Sequence, residues 1–480
     1  MNLLESYKNR LAISESVHQK SHNGAKMSAQ KKLMIAAVLN NTSKFMNEAF
    51  DSSAATQRSA LGDYKKFCLN VSTVALPNLI LPELMLTQPM TSITGYVTYL
   101  RYTAGVTKGA ISGEPGNETM FGSVYRHGNM TEDRVNYTSD RVVETIDSSL
   151  TLMWTPVAEI VKIGNTTLTA EQKNAIVVDK DGKITAKVDS EGKADPNFPT
   201  DLVVAGAKVA YVYDNVVIPQ PKAIPTLKAA MDAIELHAHA RRIAIYYSQI
   251  AAFQAKTDYG YDLADQLSTQ AQGELAYEID TEGVLMLNGG AEEDSDLVFP
   301  SYEKSIADTA TGSFISRSQY YEQFNEIVAR AKKVLYQRTQ KFAPNYMVVG
   351  ANVLTIMPYV KGWTAAPAST VNGPYYAGSV DGIKVYCSPS IDENRFFFGV
   401  NGSDLQTSAA VYAPYMAVVP TQLLGFADGG MSQGFSTMYD MKLLSTYNGS
   451  WSLDPAKNTA VDDKAGQYSY LLVAGRFDAE

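Results

Sequence analysis

Apolar positions along this chain recur at intervals that separate helix from strand. Residues 28–50 place Leu33, Ile35, Ala36, Leu39, Phe45 and Met46 at helical spacing and predict a helix. From Leu227, the positions Met231, Ile234, Ala238, Ile245 and Tyr246 fit the same period and predict a second helix. A break at Asp258-Tyr259-Gly260 leads into a third, where Leu263, Leu267, Ala271, Leu275 and Ile279 repeat every four residues. Such a repeat drifts slowly around the helix, so it faces several neighbours in turn. Gly273 inside it costs about 1 kcal/mol relative to Ala and points to a close crossing. Tyr321, Phe324, Ile327, Val328, Ala331, Val334 and Leu335 predict a fourth helix.

Elsewhere the pattern is that of strands. Short strands are expected at Tyr346–Val349, Ile383–Tyr386, Phe396–Val400, Val411–Val419, Phe435–Leu444 and Tyr468–Val473. Between residues 157 and 218, Val/Ile runs alternate with turns such as Asp181-Gly182 and Glu191-Gly192, which predicts a β-rich insert closed by Pro219 and Pro221. Residues 103–150 carry many glycines, from Gly105 to Gly128, and few large apolar side chains. Alternation resumes at Arg141-Val142-Val143-Glu144 and again at Leu150, Leu152 and Trp154. The expectation there is an extended hairpin of two long strands that has no core of its own. Residues 1–27 are polar without a core pattern and read as an arm or a flexible terminus.

The most apolar stretch is Ala75–Arg101, ALPNLILPELMLTQPMTSITGYVTYLR. It holds almost nothing reactive, so it reads as a packing element bent at Pro77, Pro82 and Pro89.

Composition narrows the function. The chain has 480 residues, a net charge of -9, and 19% charged residues against roughly 25% in typical soluble domains. Its 29 tyrosines suit a protein that hides surface against partners, and equally an ordinary β-rich globule. The acidic balance disfavours tight, sequence-independent DNA binding. The two cysteines, Cys68 and Cys387, make no disulfide or zinc pattern. No signal sequence and no run of about 18 apolar residues stand out.

Candidate chemistry is sparse. His237 and His239 are two apart on a predicted helix, and a helical metal pair needs a spacing of three or four. Asp179-Lys180-Asp181-Gly182 echoes a calcium loop but lacks its later ligands, and a β-turn is the better reading. Phosphate loops and nucleophile elbows are missing. No catalytic, cofactor-binding or metal residue is assigned.

Three short patterns, in order, carry a resemblance. They are Pro77-Asn78-Leu79-Ile80 with Gln88-Pro89-Met90 and Thr94-Gly95, the stretch Lys228–Leu287, and Val411-Tyr412-Ala413-Pro414-Tyr415 with Pro420 and Gly434-Phe435-Ser436-Thr437. In these the chain resembles the major capsid proteins of contractile-tailed, T-even-type bacteriophages. The resemblance implies an α+β fold of the Hong-Kong-97 type. Residues 1–65 would be the N-terminal arm, 66–100 the first part of the peripheral domain, and 101–156 the E-loop. Residues 157–218 would be a β-rich insertion domain, and 219–345 the peripheral domain with its spine helix at about 261–288. Residues 346–425 would be the axial domain, and 426–480 the return strands.

The resemblance also implies a non-enzymatic subunit that forms hexamers, with related pentamers, in an icosahedral shell around double-stranded DNA. Its partners would be copies of itself and decoration, vertex, portal and scaffold proteins, with no membrane and no cofactor. It would assemble in the host cytoplasm and reside in the virion capsid. Some relatives cross-link through a Lys and an Asn, and Lys108 lies in the E-loop stretch. Relatives are also trimmed where Leu or Ile stands two residues before a cut Glu, a pattern that Ile13-Ser14-Glu15 fits. On this resemblance, a charge at Leu84 or Leu86 is expected to block assembly first. An encapsulin-like compartment and a tail-sheath-type assembly protein are the alternatives.

Overall fold

The computed structural model describes residues 3–21, 26–51, 69, 73, 76–104, 141–153, 156, 160, 162–179, 181–213, 226–302, 316–339, 341–367, 373–421, 424–427, 429–444, 446–448 and 467–478. The chain divides into two compact units. One comprises Met1–Tyr99, Ala233–Trp451 and Ala456–Glu480, and the other centres on Leu100–Asp232.

The first unit begins with helices α1 (Leu3–Ser6), α2 (Lys8–Ser21) and α3 (Ala29–Asp51). The expected polar arm is therefore helical over most of residues 3–21. Its inward face is Leu11, Ser14 and His18. Two of these three are polar, which is why an apolar pattern did not reveal the face. Helix α3 buries Met34, Ile35, Val38, Leu39, Thr42 and Met46. Leu33 and Phe45, assigned to the same face by spacing, are 52% and 41% exposed. A 3-10 turn at Leu76–Asn78, helix α4 (Leu81–Leu84) and strands β1 (Leu86–Thr87) and β2 (Thr94–Ala104) follow.

The second unit holds β3 (Arg141–Thr145), β4 (Lys162–Ile163), β5 (Thr166–Thr167), α5 (Ala170–Ala175), β6 (Ile176–Val178), β7 (Ile184–Ala186) and β8 (Lys208–Val212). One sheet runs in the order β3-β8-β4-β5, and β6 pairs with β7. Val142, Ile146, Leu152, Ile163, Ile184, Val209 and Tyr211 form its own core. Gly182 has φ +82, and a Cβ there would lie 2.2 Å from the Leu152 carbonyl oxygen, so the turn requires glycine. The expected hairpin of two long strands is not what forms: among the described residues, β3 pairs with β8 and β2 pairs with β9 (Leu227–His237). The glycine-rich run 105–140, with Lys108, lies outside the described residues.

Residues 227–248 correct the largest expectation. They form β9 and β10 (His239–Ser248), not a helix. A two-residue alternation was also present: Leu236 with Ala238, and Ile245 with Tyr247, are the buried positions. Met231 and Tyr246, which helical spacing put in the core, are 71% and 60% exposed.

The chain then forms α6 (Gln249–Gln254), a π-helical turn (Ala255–Tyr259) and α7 (Leu263–Gly289). The Asp262 side chain caps α7 by accepting from the Ala264 N–H at 3.0 Å. The stripe Ala271, Leu275 and Ile279 is buried and continues to Gly283 and Leu287. The close crossing is at Gly283, where a Cβ would lie 2.3 Å from Leu81 Cδ2, and not at Gly273, which has nothing within 4 Å.

Next come β11 (Glu292–Phe299), α8 (Arg317–Glu322), α9 (Phe324–Thr339), β12 (Tyr346–Val349), α10 (Ala351–Ile356), β13 (Trp363–Ala365), β14 (Tyr375–Val380), β15 (Ile383–Cys387) and β16 (Arg395–Gly399). After these run β17 (Ala410–Pro420), β18 (Leu424–Gly425), β19 (Gly430–Leu443), β20 (Thr446–Asn448), β21 (Gln467–Ser469) and β22 (Leu472–Phe477). The predicted last strand is thus two strands.

Two sheets organise this unit. A seven-stranded sheet has the order β11-β22-β16-β12-β15-β14-β13. Its core is aromatic, with Phe299, Phe324, Phe396, Phe397 and Phe398 each no more than 2% exposed. Arg338 is buried beside it and donates to the Leu472 carbonyl at 3.1 Å and to Glu292 at 3.0 Å, so its charge is paired. The second sheet has the order β1-β17-β19-β10, with β18 also on β19. Strand β17 is apolar without alternation because both faces are covered, one of them by α3.

Candidate functional site

The apolar segment Leu76–Met90 is where these elements meet. Gln88 and Met90 donate backbone N–H groups to the Tyr412 and Pro414 carbonyls at 2.9 and 3.0 Å, extending β1 along β17. In a parallel ladder alternate residues donate to one neighbour, so Pro89, which has no N–H, falls where none is needed. Leu81 and Leu84 are fully buried, and Leu86 is 7% exposed.

Side chains from α2, α3, α7 and β15, together with Asn401, hold the segment and Thr73 just before it, mostly by the backbone. From α2, Ser14 Oγ donates to the Thr73 carbonyl at 2.9 Å and His18 Nδ1 lies 3.0 Å from the Pro77 carbonyl. From α3, Lys31 Nζ donates to the Leu79 carbonyl at 2.7 Å, and Asn41 Nδ2 donates to the Met90 and Tyr415 carbonyls at 2.6 and 3.1 Å. From α7, the Asp280 carboxylate accepts the Ile80 N–H at 3.1 Å and the Leu81 N–H at 3.2 Å, satisfying the start of α4. From β15, Tyr386 and Lys384 donate to Glu83 Oε2 at 2.6 and 3.3 Å. Asn401 Nδ2 donates to the Glu83 carbonyl at 2.9 Å. The backbone groups that two prolines and a short helix leave without secondary-structure partners are thus bonded by side chains.

Burial sets the electrostatics. Loss of water pushes Asp280 up to about 7, against the two N–H bonds and the charge of Lys31. It pushes Lys31 down to about 8, against the charges of Glu83 and Asp280. His18 is lowered by burial and by Lys31. For Glu83 burial acts upward, but Lys31, Lys384 and the Tyr386 bond outweigh it and the carboxylate is lowered. Lys31 and Asp280 hold backbone groups, whereas Glu83 bonds the Tyr386 and Lys384 side chains, and the arrangement is that of a joint.

The other sequence candidates fall elsewhere. His237 and His239 are exposed, with ring centroids 5.0 Å apart, at the junction of β9 and β10. No group of three or more His, Cys, Asp or Glu that could hold a metal occurs among the described residues. Asp179 accepts the Gly182 N–H at 2.9 Å in the β-turn joining β6 and β7. Cys387 is a buried thiol, and Cys68 lies outside the described residues. Ser14 of Ile13-Ser14-Glu15 is buried within α2, and Glu15 pairs with Lys32 at 2.9 Å.

Sequence reasoning missed His18, Lys31, Asn41 and Asp280. A signal existed for Asp280, a carboxylate adjacent to the apolar stripe Leu275, Ile279 and Leu287.

Comparisons with known proteins follow this geometry. The model of the family "Major capsid protein Gp23" matches residues 62–473, most of the chain. No curated protein sequence matches it. A solved structure from Microbacterium phage Oxtober96 is 11% identical, covering 83% of this chain and 91% of that one with a TM-score of 0.36. The bacteriophage PhiM1 mature capsid is 10% identical, covering 52% and 74% with a TM-score of 0.30. An encapsulin complex from Synechococcus elongatus is 10% identical, covering 52% and 77% with a TM-score of 0.30. On the family match, the chain belongs to the Gp23 family of phage major capsid proteins, self-associating subunits of the virion capsid, and its own fold mixes helices and sheets.

Proposed function

We propose that the chain acts as a structural, non-enzymatic subunit whose copies form hexamers, with related pentamers, in an icosahedral shell around double-stranded DNA. The family match over residues 62–473 carries this reading. The clamp on Leu76–Met90 supports it mechanically. This segment runs into β2, the strand that enters the E-loop stretch 101–156. A loop that reaches a neighbouring subunit transmits force to its root, and this root is tied to α2, α3, α7 and β15.

In this reading residues 1–65 form the arm, 66–100 and 219–345 the peripheral domain, 346–425 the axial domain and 426–480 the return strands. Residues 101–156 form the E-loop and residues 157–218 the insertion domain. The net charge of -9 suits a wall that holds packaged DNA without adhering to it, and no sequence-specific contact is expected. Portal, vertex, scaffold and decoration proteins complete such a shell. Trimming after Glu15 would require α2 to unwind, because Ser14 and His18 hold it to the segment.

Mass spectrometry of purified virions tests this reading. Peptides of this chain should be the most abundant of any protein, and a minor or absent signal would contradict it. The same sample reports whether residues 1–15 are retained.

A further inference from the structure

The helical stretch after β10 is built inside out. Between Gln249 and Tyr259 only Ala255 is buried, while Ile250 and Phe253 are each 72% exposed and Tyr259 is 76% exposed. A helix this short is not stable from propensity alone and normally depends on an apolar face packed against a core. This one is nonetheless well formed. Ser248 Oγ accepts the Ala251 N–H at 3.1 Å at its start, and Gly260 closes it at φ +73. Its last turn is π-helical, a rare feature frequent at functional sites.

Further large apolar side chains are exposed on β10, just before it in sequence, and on β18 of the same sheet. Tyr246 and Leu424 both pair with Ser432 of β19, one from each side, so the three form a row on one face of the sheet. Leu424 is 60% exposed. Phe426 is 52% exposed, and its ring centroid lies 6.3 Å from that of Tyr246. Tyr246, Leu424 and Phe426 thus form one exposed apolar cluster, and Ile250 and Phe253 stand exposed on the helix that begins directly after β10. The exposed charges around it are of both signs, with Arg242 and Lys256 against Asp258. That rim suits another protein face and not a phosphate backbone.

We propose that this surface, formed by β10, the Gln249–Tyr259 helix and β18, is a contact between copies of this chain, buried against the next subunit of the shell. The inference rests on the shell reading above. The occupant is a second copy because the family is a self-associating one. A ring of like subunits also needs an exposed patch on each that meets a different face of its neighbour.

The test compares full-length wild type with Ile250→Asp and Phe253→Asp under conditions where wild type assembles. Both positions are exposed, so the unassembled variants should keep the wild-type circular dichroism and melting temperature. The fraction sedimenting as particles should fall by about tenfold or more. Particles at wild-type yield from both variants would overturn the proposal while leaving the shell reading intact. Wild type that yields no particles would instead sink the shell reading and this proposal with it.

Hydroxyl-radical footprinting of wild type needs no variant to fold. Tyr246, Phe253 and Tyr259 should be labelled in free subunits and protected in shells. Labelling in both states would overturn the proposal. So would protection already present in the free subunit, or protection that arises only when another virion protein is added.

Discussion

Asp280 and Gly283 sit about one turn apart on α7 and serve the same segment in different ways. Asp280 bonds the N–H groups of Ile80 and Leu81, and Gly283 leaves room for the Leu81 side chain. Gly283→Ala should therefore destabilise the subunit by about 1–3 kcal/mol, since a methyl there meets a fully buried leucine. Gly273→Ala, with nothing within 4 Å, should stabilise it by about 0.5–1 kcal/mol. Urea unfolding of the unassembled subunit reads both, and equal effects at the two sites would contradict the crossing.

Asp280 also makes a pH prediction. Its value in the fold is raised from 3.8 to about 7, so the folded state holds the proton more tightly than the unfolded chain. Its contribution to stability is full below about 4 and is lost as pH rises to about 7. Asp280→Asn should remove that component. Wild-type stability minus variant stability should therefore fall between pH 4.5 and 7.5. A difference that stays constant or rises would contradict this sign.

The element scale shows what the sequence carried and what it hid. Helices α3, α7 and α9 were legible because their buried side chains are mostly apolar at helical spacing, and most strands from residue 346 onward because they are short apolar runs. Helix α2 was hidden because Ser14 and His18 turn inward to bond carbonyls, and no apolar period records such contacts. Strands β9 and β10 were misread because Ile234, Ala238 and Ile245 satisfy a helical spacing as well as an alternation. Pairing with β2 and β19, distant in sequence, decides between the two. The clamp was only half legible. The apolar segment and its prolines stood out, but its partners are polar residues up to about 300 positions away.

Burial also changes the expected effect of a charge at Leu84. Leu84 is fully buried within its own subunit, so Leu84→Asp places a carboxylate among apolar side chains at a cost of several kcal/mol. The expected product is a misfolded or insoluble subunit, read by circular dichroism and solubility. A soluble, folded Leu84→Asp subunit that merely fails to assemble would contradict this.

At the scale of the whole molecule, the chain combines a polar joint at the root of β2 with an exposed apolar surface at the far end of β10. The joint ties the segment leading into β2 to α2, α3, α7 and β15. The apolar surface gives association that depends little on salt, whereas exposed charges would lose their grip within a Debye length of about 8 Å at physiological ionic strength. Both features belong to a subunit whose function is completed only among its copies. Electron microscopy of the full-length chain, expressed with its neighbouring genes, tests this claim most directly. The account predicts closed icosahedral particles built from hexameric and pentameric units. Open tubes, or subunits that remain monomeric at every concentration tried, would contradict it.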